Sequence, residues 1–197
     1  MSLPNFRTDY DHFQGSPLAP LELIQYGDFQ CAHCADVYPL IKCLQHCFGS
    51  MLKFVYRHYP IPFRHSLTLQ AAVAAEAAAL QGKFWYMHDM IYENQKYLTR
   101  ASFSGFAREI DLDTRVFENC REQRLLFQKV ISDFEGGVKS GVDSSPTFFV
   151  NGVRYDGFHD FDSLYSALAN VKYFEFNTTE RTTRNVVSKQ NGFKGRV

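Results

Sequence analysis

Hydrophobic and polar positions alternate in phases along the chain, and each phase predicts an element. Residues 21–27, LELIQYG, form a short apolar run closed by a turn signal, which predicts a buried strand. A helix is expected from about Cys31 to Phe48, stopped by Gly49 and kinked at Pro39. The segment MLKFVYRHYP then alternates as a strand and ends at Pro60 and Pro62, which completes a β-α-β unit. From Ser66 the period changes to that of helices. An alanine-rich stretch runs toward Gly82, and Phe84, Met87 and Ile91 share one helical face, as do Phe103, Phe106, Ala107 and Ile110. Asp113 is placed to cap a segment carrying Val116, Phe117 and Cys120, and a further helix takes Leu126, Val130 and Phe134 toward the Gly136-Gly137 pair. Strand character returns at Thr147–Val150 and Val153–Tyr155. These flank Asn151-Gly152, the strongest short hairpin signal, and a last helix fits Asp160 to Val171.

The pattern therefore predicts an α/β chain, β-α-β then β-β-α, interrupted by an all-helical block. The boundaries read as residues 20–63 for the first half, 64–140 for the helical insertion, 141–172 for the second half and 173–197 for a polar, basic tail to which no chemistry is assigned.

Composition narrows the function classes. Lysine plus arginine equal aspartate plus glutamate at 21 each, so no global field favours nucleic acid, an anionic membrane or an acidic substrate. No apolar run approaches the roughly 18 residues of a membrane-spanning helix, and the first twenty residues lack the apolar centre of a signal peptide. As written, the chain is expected in the cytoplasm. A periplasmic or other extracytoplasmic home is the alternative if a leader has been removed. The cysteines number five, Cys31, Cys34, Cys43, Cys47 and Cys120. An odd count in a chain of this length is unlike a disulfide framework.

The candidate chemistry sits in GDFQCAHCAD, residues 27–36. Two cysteines separated by two residues are a redox pair, half of a metal site, or two small side chains. Zinc needs further ligands, and His46 with Cys43 or Cys47 is the nearby set. Those residues share the predicted helix with Cys34, so four tetrahedral ligands would require breaking it, and no metal is expected. Cys43, Cys47 and Cys120 are expected to be small buried hydrophobes, His58, His65 and His88 structural histidines, and Trp85 part of the core.

A strand leading into C-x-x-C at a helix start, Pro39 eight residues after Cys31, and Ser145-Pro146 opening the later hairpin resemble a thioredoxin fold. With the helical block between its halves, the chain resembles the DsbA-like thiol-disulfide oxidoreductases. GDFQCAHC, RHYPIP, AAEAAALQGKFWYMHDMIYENQ and SSPTFFVNG fall at that family's relative places, and the similarity covers about residues 21–170. The resemblance implies exchange of disulfides with protein or peptide thiols. An unidentified redox partner is implied too, and no organic cofactor, because the electrons reside in the Cys31-Cys34 disulfide.

The residues support the same reading. A thiolate is the attacking species, and Cys31 at a helix N-terminus would face unpaired N–H groups and the positive end of the dipole. Cys34, one turn on, would resolve the mixed disulfide as the more buried partner. His33 would tune the pair toward the oxidising end. By resemblance Ser145 and Pro146 dock the substrate beside the cysteines. One position departs from the family's pattern. Six residues before the first cysteine, where a buried carboxylate is usual, stands Gln25, whose amide cannot accept a proton at ordinary pH. Glu22 would lie on the opposite strand face. Two alternatives stay open at this point: a glutathione-dependent transferase or isomerase of the same fold, and a non-catalytic binding module.

Overall fold

The computed structural model describes residues 11–61 and 66–171. His65 and the tail beyond residue 171 lie outside the described residues. Two compact units divide after Asp156.

In the first unit a five-stranded sheet runs in the order β1-β3-β2-β4-β5. Its strands are β1 (His12–Gln14), β2 (Leu21–Gly27), β3 (Leu52–His58), β4 (Thr147–Val150) and β5 (Val153–Tyr155). β2 and β3 are parallel, with Ile24 opposite Val55, while every other pair is antiparallel. A parallel neighbour requires a crossover, and α1 (Ala32–Phe48) supplies it. Because both faces of β2 are covered, its residues read as a continuous apolar run rather than an alternation.

The two faces have different partners. Ile24, Tyr26, Val55 and Phe149 form one cluster with Tyr59, Ile61 and Val142, against which Phe134 of α6 (Arg124–Lys139) packs. On the other face α1 buries Cys34, Val37, Ile41 and Leu44. That stripe follows the 3, 4, 3 spacing of a helix laid on a sheet. Each fully buried aliphatic or phenyl side chain contributes roughly 1.5–3 kcal/mol, and these two layers hold the sheet rigid around its carboxyl edge.

The insertion consists of α2 (Thr68–Ala79), α3 (Phe84–Glu93), α4 (Ser102–Glu109), α5 (Thr114–Arg121) and α6. Alanines along α2 are buried almost throughout, which lets neighbouring helices approach closely. Asp113 caps α5 by accepting from Val116 N at 2.9 Å. Helix α6 runs through Gly136 and Gly137 to Lys139 instead of stopping at the pair. A Cβ on Gly137 would lie 3.0 Å from the rings of Tyr26 and Tyr59, so the glycine is a close-packing residue there. The hairpin between β4 and β5 turns on Asn151 (φ 44°) and Gly152 (φ 77°), the left-handed pair a tight two-residue turn demands.

Strand β1 lies before the first predicted half and extends the sheet by one edge. His12, Phe13 and Gln14 pair with Tyr56, Val55 and Phe54. Trp85, half-buried rather than core, donates from Nε1 to Phe13 O at 3.1 Å and braces that edge.

In the second unit, α7 spans residues 161–171. Asp160 accepts from Ser163 N at 2.8 Å at its start, and Leu164 and Leu168 are buried. Among the described residues no helix is long and apolar enough to cross a membrane.

Candidate active site

The carboxyl end of β2 passes into a tight turn, Asp28 to Cys31, in which Cys31 N donates to Asp28 O at 3.1 Å. Cys31 is the N-cap of α1, with extended backbone (φ −74°, ψ 121°). Its carbonyl begins the helix by accepting from Ala35 N at 3.2 Å. The cap position leaves the first-turn N–H groups without intrahelical partners and sets the sulfur beside them, although it makes no side-chain cap hydrogen bond of ordinary geometry.

Both cysteines are free thiols; Cys31 is 8 % exposed and Cys34 fully buried. The Cys31 thiol is held down to about 5, first by a hydrogen bond from the Cys34 thiol. Burial opposes that effect, and the Ser145 side chain and the backbone N–H groups of Cys34 and His33 reinforce it. Cys34 moves the other way. Burial pushes its thiol well up, and the hydrogen bond and charge of Cys31 push it further. Two thiols one helical turn apart are thereby separated into a thiolate and a thiol.

The remaining predicted positions fall around this pair. The Ser145-Pro146 bond is cis, and Ser145 O lies 3.2 Å from Cys31 Sγ, accepting its proton while Cys31 is a thiol, so this loop lies directly against the outer cysteine. The Ser145 hydroxyl is buried and makes no hydrogen bond of ordinary geometry. His33 is exposed, and what it gives Cys31 is its backbone N–H. Gln25 is buried on the α1 side of β2, bordering a small cavity with Tyr38, Ile41, Gln45, Phe54 and Tyr92. Glu22 is engaged elsewhere, paired with Lys53 Nζ at 2.8 Å.

Two residues at the site were not singled out from the sequence. Asp28 is 1 % exposed; its carboxylate accepts from Gln30 N at 2.8 Å, from Ile61 N at 3.1 Å and from the Thr68 hydroxyl of α2. Its place after Gly27 is a turn signal that an Asx-type reading finds. Gln95, in the 3₁₀ turn Gln95–Tyr97 after α3, donates from Nε2 to Phe29 O and to Cys31 O, both at 2.9 Å. No local signal marks it, because its partners are more than sixty residues away.

Cys43 and Cys47 are exposed, contrary to the expectation of burial. The buried stripe of α1 passes through Ile41 and Leu44, and Cys43 stands about 100° from Leu44 around the helix, on the solvent side. Cys120 is buried as expected, as are His58 and His88.

One buried cluster has metal-ligand character. Donor atoms of His58, Glu76 and Asp133 lie within 4.8 Å of one another. Glu76 and Asp133 are already engaged, whereas His58 Nδ1 is buried without a hydrogen-bond partner. Glu76 Oε1 accepts from His58 Nε2 at 2.9 Å and from His12 Nε2 at 3.0 Å, and Asp133 holds the Lys129 ammonium at 2.6–2.7 Å. The ammonium supplies the positive charge a metal would bring, and the network ties β1, β3, α2 and α6 together.

A β-α-β unit, a helical insertion, and a hairpin whose first residue follows a cis proline beside a C-x-x-C helix cap define a thioredoxin-fold protein of the DsbA-like architecture. The chain belongs to the thioredoxin family: the family model Thioredoxin_4, described as thioredoxin, matches residues 7–170. Its fold is shared with α-DsbA1 of Wolbachia pipientis (TM-score 0.77, 16 % identity, 87 % of this chain and 96 % of that one). A thioredoxin-like oxidoreductase from Silicibacter pomeroyi is similar too (TM-score 0.73, 22 % identity, 84 % and 94 %). Among curated proteins the chain is 36 % identical over 163 residues to a Na(+)/H(+) antiporter NhaA 1 of Salinispora arenicola, covering 83 % of this chain and 25 % of that protein. The chain thus spans about a quarter of the length of the curated relatives it matches.

Proposed function

We propose that this chain is a thiol-disulfide oxidoreductase acting on protein or peptide thiols, with Cys31 as the attacking and Cys34 as the resolving cysteine. The observation that carries the reading is the unequal pair itself: a thiolate held near 5 at a helix cap, hydrogen-bonded by a fully buried thiol. In the oxidising direction a substrate thiolate attacks Cys31 Sγ and breaks the Cys31–Cys34 bond. Cys34 leaves as thiolate and takes up a proton. A second substrate thiolate then attacks the substrate sulfur of the mixed disulfide and expels Cys31 as thiolate. Two electrons pass from the substrate dithiol to the pair, and a substrate disulfide is released. A low thiol pKa makes Cys31 a good leaving group, which favours this direction.

Other parts of the site have roles in the same scheme. The Ser145-Pro146 loop, packed on Cys31, offers backbone groups with which an extended substrate segment pairs. The exposed His33 ring stands where it meets an incoming substrate. The electrons stay in the cysteine pair, so no organic cofactor is required.

The test is the equilibrium of the Cys31/Cys34 pair with glutathione in a variant in which Cys43, Cys47 and Cys120 are replaced by alanine. A disulfide more oxidising than thioredoxin's supports the reading, and loss of insulin-reducing and thiol-oxidising activity in Cys31→Ser ties it to Cys31. If no disulfide forms at any glutathione ratio, the reading is wrong.

A further inference from the structure

The redox turn is gripped from outside the sheet. Residues 28–31 are each bonded by a group of the insertion or by the turn itself. Thr68 donates its hydroxyl to Asp28, Leu67 N donates to Gln30 Oε1 at 2.5 Å, and the Gln95 amide bridges the carbonyls of Phe29 and Cys31 at 2.9 Å each. Gln95 is itself held in place by the end of α3, where Asn94 Nδ2 donates to Met90 O at 2.9 Å and the chain tightens into the 3₁₀ turn.

We infer that Gln95 is a positioning residue for Cys31, fixing it in the extended N-cap conformation that sets its sulfur at the first turn of α1, beside Cys34. The inference rests on the reading of Cys31 as the attacking thiol. The Cys31 carbonyl has two lone pairs. Ala35 N takes one as the first bond of the helix, and Gln95 takes the other. The second Gln95 bond, to Phe29 O, pins the turn two residues earlier. A single planar amide therefore sets the distance between positions 29 and 31 and with it the backbone angles of the cap. Two donors on one rigid group fix a geometry that two separate water molecules would leave free. If the amide is removed, both carbonyls turn toward other donors, and the sulfur loses its register with the first turn of α1 and with the Cys34 thiol. Gln95 bonds the carbonyls of Phe29 and Cys31 and not the sulfur. It acts on the thiolate through the cap, and because the thiolate exists only in the reduced pair, it biases the redox equilibrium.

The test compares Gln95→Met, which keeps the length of the side chain and donates nothing, and Gln95→Ala with the parent, all in the background lacking Cys43, Cys47 and Cys120. The first readout is the pH midpoint of Cys31 alkylation, the second the equilibrium constant with glutathione, and far-UV circular dichroism with thermal melting reports on folding. Both variants are expected to raise the midpoint and to lower the oxidising equilibrium constant about tenfold, equivalent to about 30 mV toward reducing potentials. The inference is overturned if both keep the parental midpoint and equilibrium constant, including the case in which only the melting temperature falls and Gln95 merely braces its own turn. Because the alkylation midpoint requires no disulfide, it still tests Gln95 if the parent proves unable to form one. That second result would strike at the functional reading alone.

Discussion

The acidity of Cys31 makes a prediction whose outcome depends on pH in a specific way. With a thiol near 5, Cys31 is about 99 % thiolate at pH 7, against about 3 % for an ordinary cysteine of pKa ~8.5. That thirtyfold advantage does not appear as a thirtyfold rate. Intrinsic nucleophilicity falls with pKa along a Brønsted slope of about 0.45, so a thiol 3.5 units more acidic is roughly 40 times less reactive per thiolate. The two effects nearly cancel at pH 7. At pH 5.5 they no longer do: Cys31 is still about 76 % ionised and the ordinary thiol about 0.1 %, which leaves Cys31 roughly twentyfold faster. The assay is pulsed alkylation with iodoacetamide across pH 4–9, resolved by residue with mass spectrometry. Exposed Cys43 and Cys47 serve as internal references, and buried Cys34 stays silent. Labelling of Cys31 should plateau above about pH 6 and fall by half near pH 5. A midpoint above 8, where an unperturbed thiol titrates, would refute the argument that the helix cap and Cys34 hold a thiolate.

Two substitutions in α6 and one in α3 test the packing. Gly136→Ala places a Cβ where no atom lies within 4 Å and should stabilise the protein by up to ~1 kcal/mol in urea unfolding, through helix propensity alone. Gly137→Ala gains the same propensity but drives a Cβ to 3.0 Å from Tyr26 and Tyr59, an overpacking cost of ~1–3 kcal/mol, so it should destabilise; equal shifts of both midpoints would contradict the packing. Burial lowers the pKa of His88 to about 4, opposed by its Asp89 bond, while the unfolded side chain binds a proton near 6.5. The unfolded state therefore binds more protons between those values, and stability is lost as pH falls from 6.5 to 4 at about 1.4 kcal/mol per pH unit. His88→Phe, in a pocket already lined by Tyr56, Phe84 and Tyr92, should flatten that stretch of the stability curve; parallel curves for variant and parent would show that His88 is not its source.

What could be read from the sequence was what local chemistry dictates. The apolar run of β2, the C-x-x-C cap of α1, the Gly49 stop and the Asn151-Gly152 turn each depend on neighbours within a few residues, and each stands where its pattern put it. Strand β1 escaped because three residues give no measurable period; it exists through pairing with β3 and through the Arg57–Asp11 ion pair at 2.8 Å. Gly136-Gly137 reads as a helix stop, yet the second glycine is there for the rings of Tyr26 and Tyr59, elements distant in sequence. The exposure of Cys43 and Cys47 was within reach of the sequence. Phasing α1 on Val37, Ile41 and Leu44 puts Cys43 on the outer face and Cys47 at the edge of the buried stripe, whereas residue type alone suggests a buried hydrophobe. Gln95 and Asp28 were hidden for the opposite reason, since their roles are set by partners that only the folded insertion delivers.

The arrangement around Cys34 bears on how a pair lacking the usual buried acid could resolve a mixed disulfide. Burial raises the Cys34 thiol first, and that cost is permanent; the next two contributions, the hydrogen bond to Cys31 and the charge of Cys31, exist only while Cys31 is a thiolate. Once Cys31 is bonded to a substrate sulfur it carries no charge, and both contributions vanish. In the reducing direction of the proposed exchange, where Cys34 would attack the mixed disulfide, its thiol would thus become more acidic without a new group entering the site. The Gln25 amide cannot take the proton, and Asp28 acts both ways, its backbone hydrogen bond favouring the Cys34 thiolate and its charge opposing it. Under the proposed reading, the coupling between the two sulfurs would carry the switching that an acid at position 25 assists. Gln25→Glu should change the pH dependence of resolution more than that of the initial attack on Cys31, a distinction single-turnover exchange with a mixed-disulfide substrate measures directly.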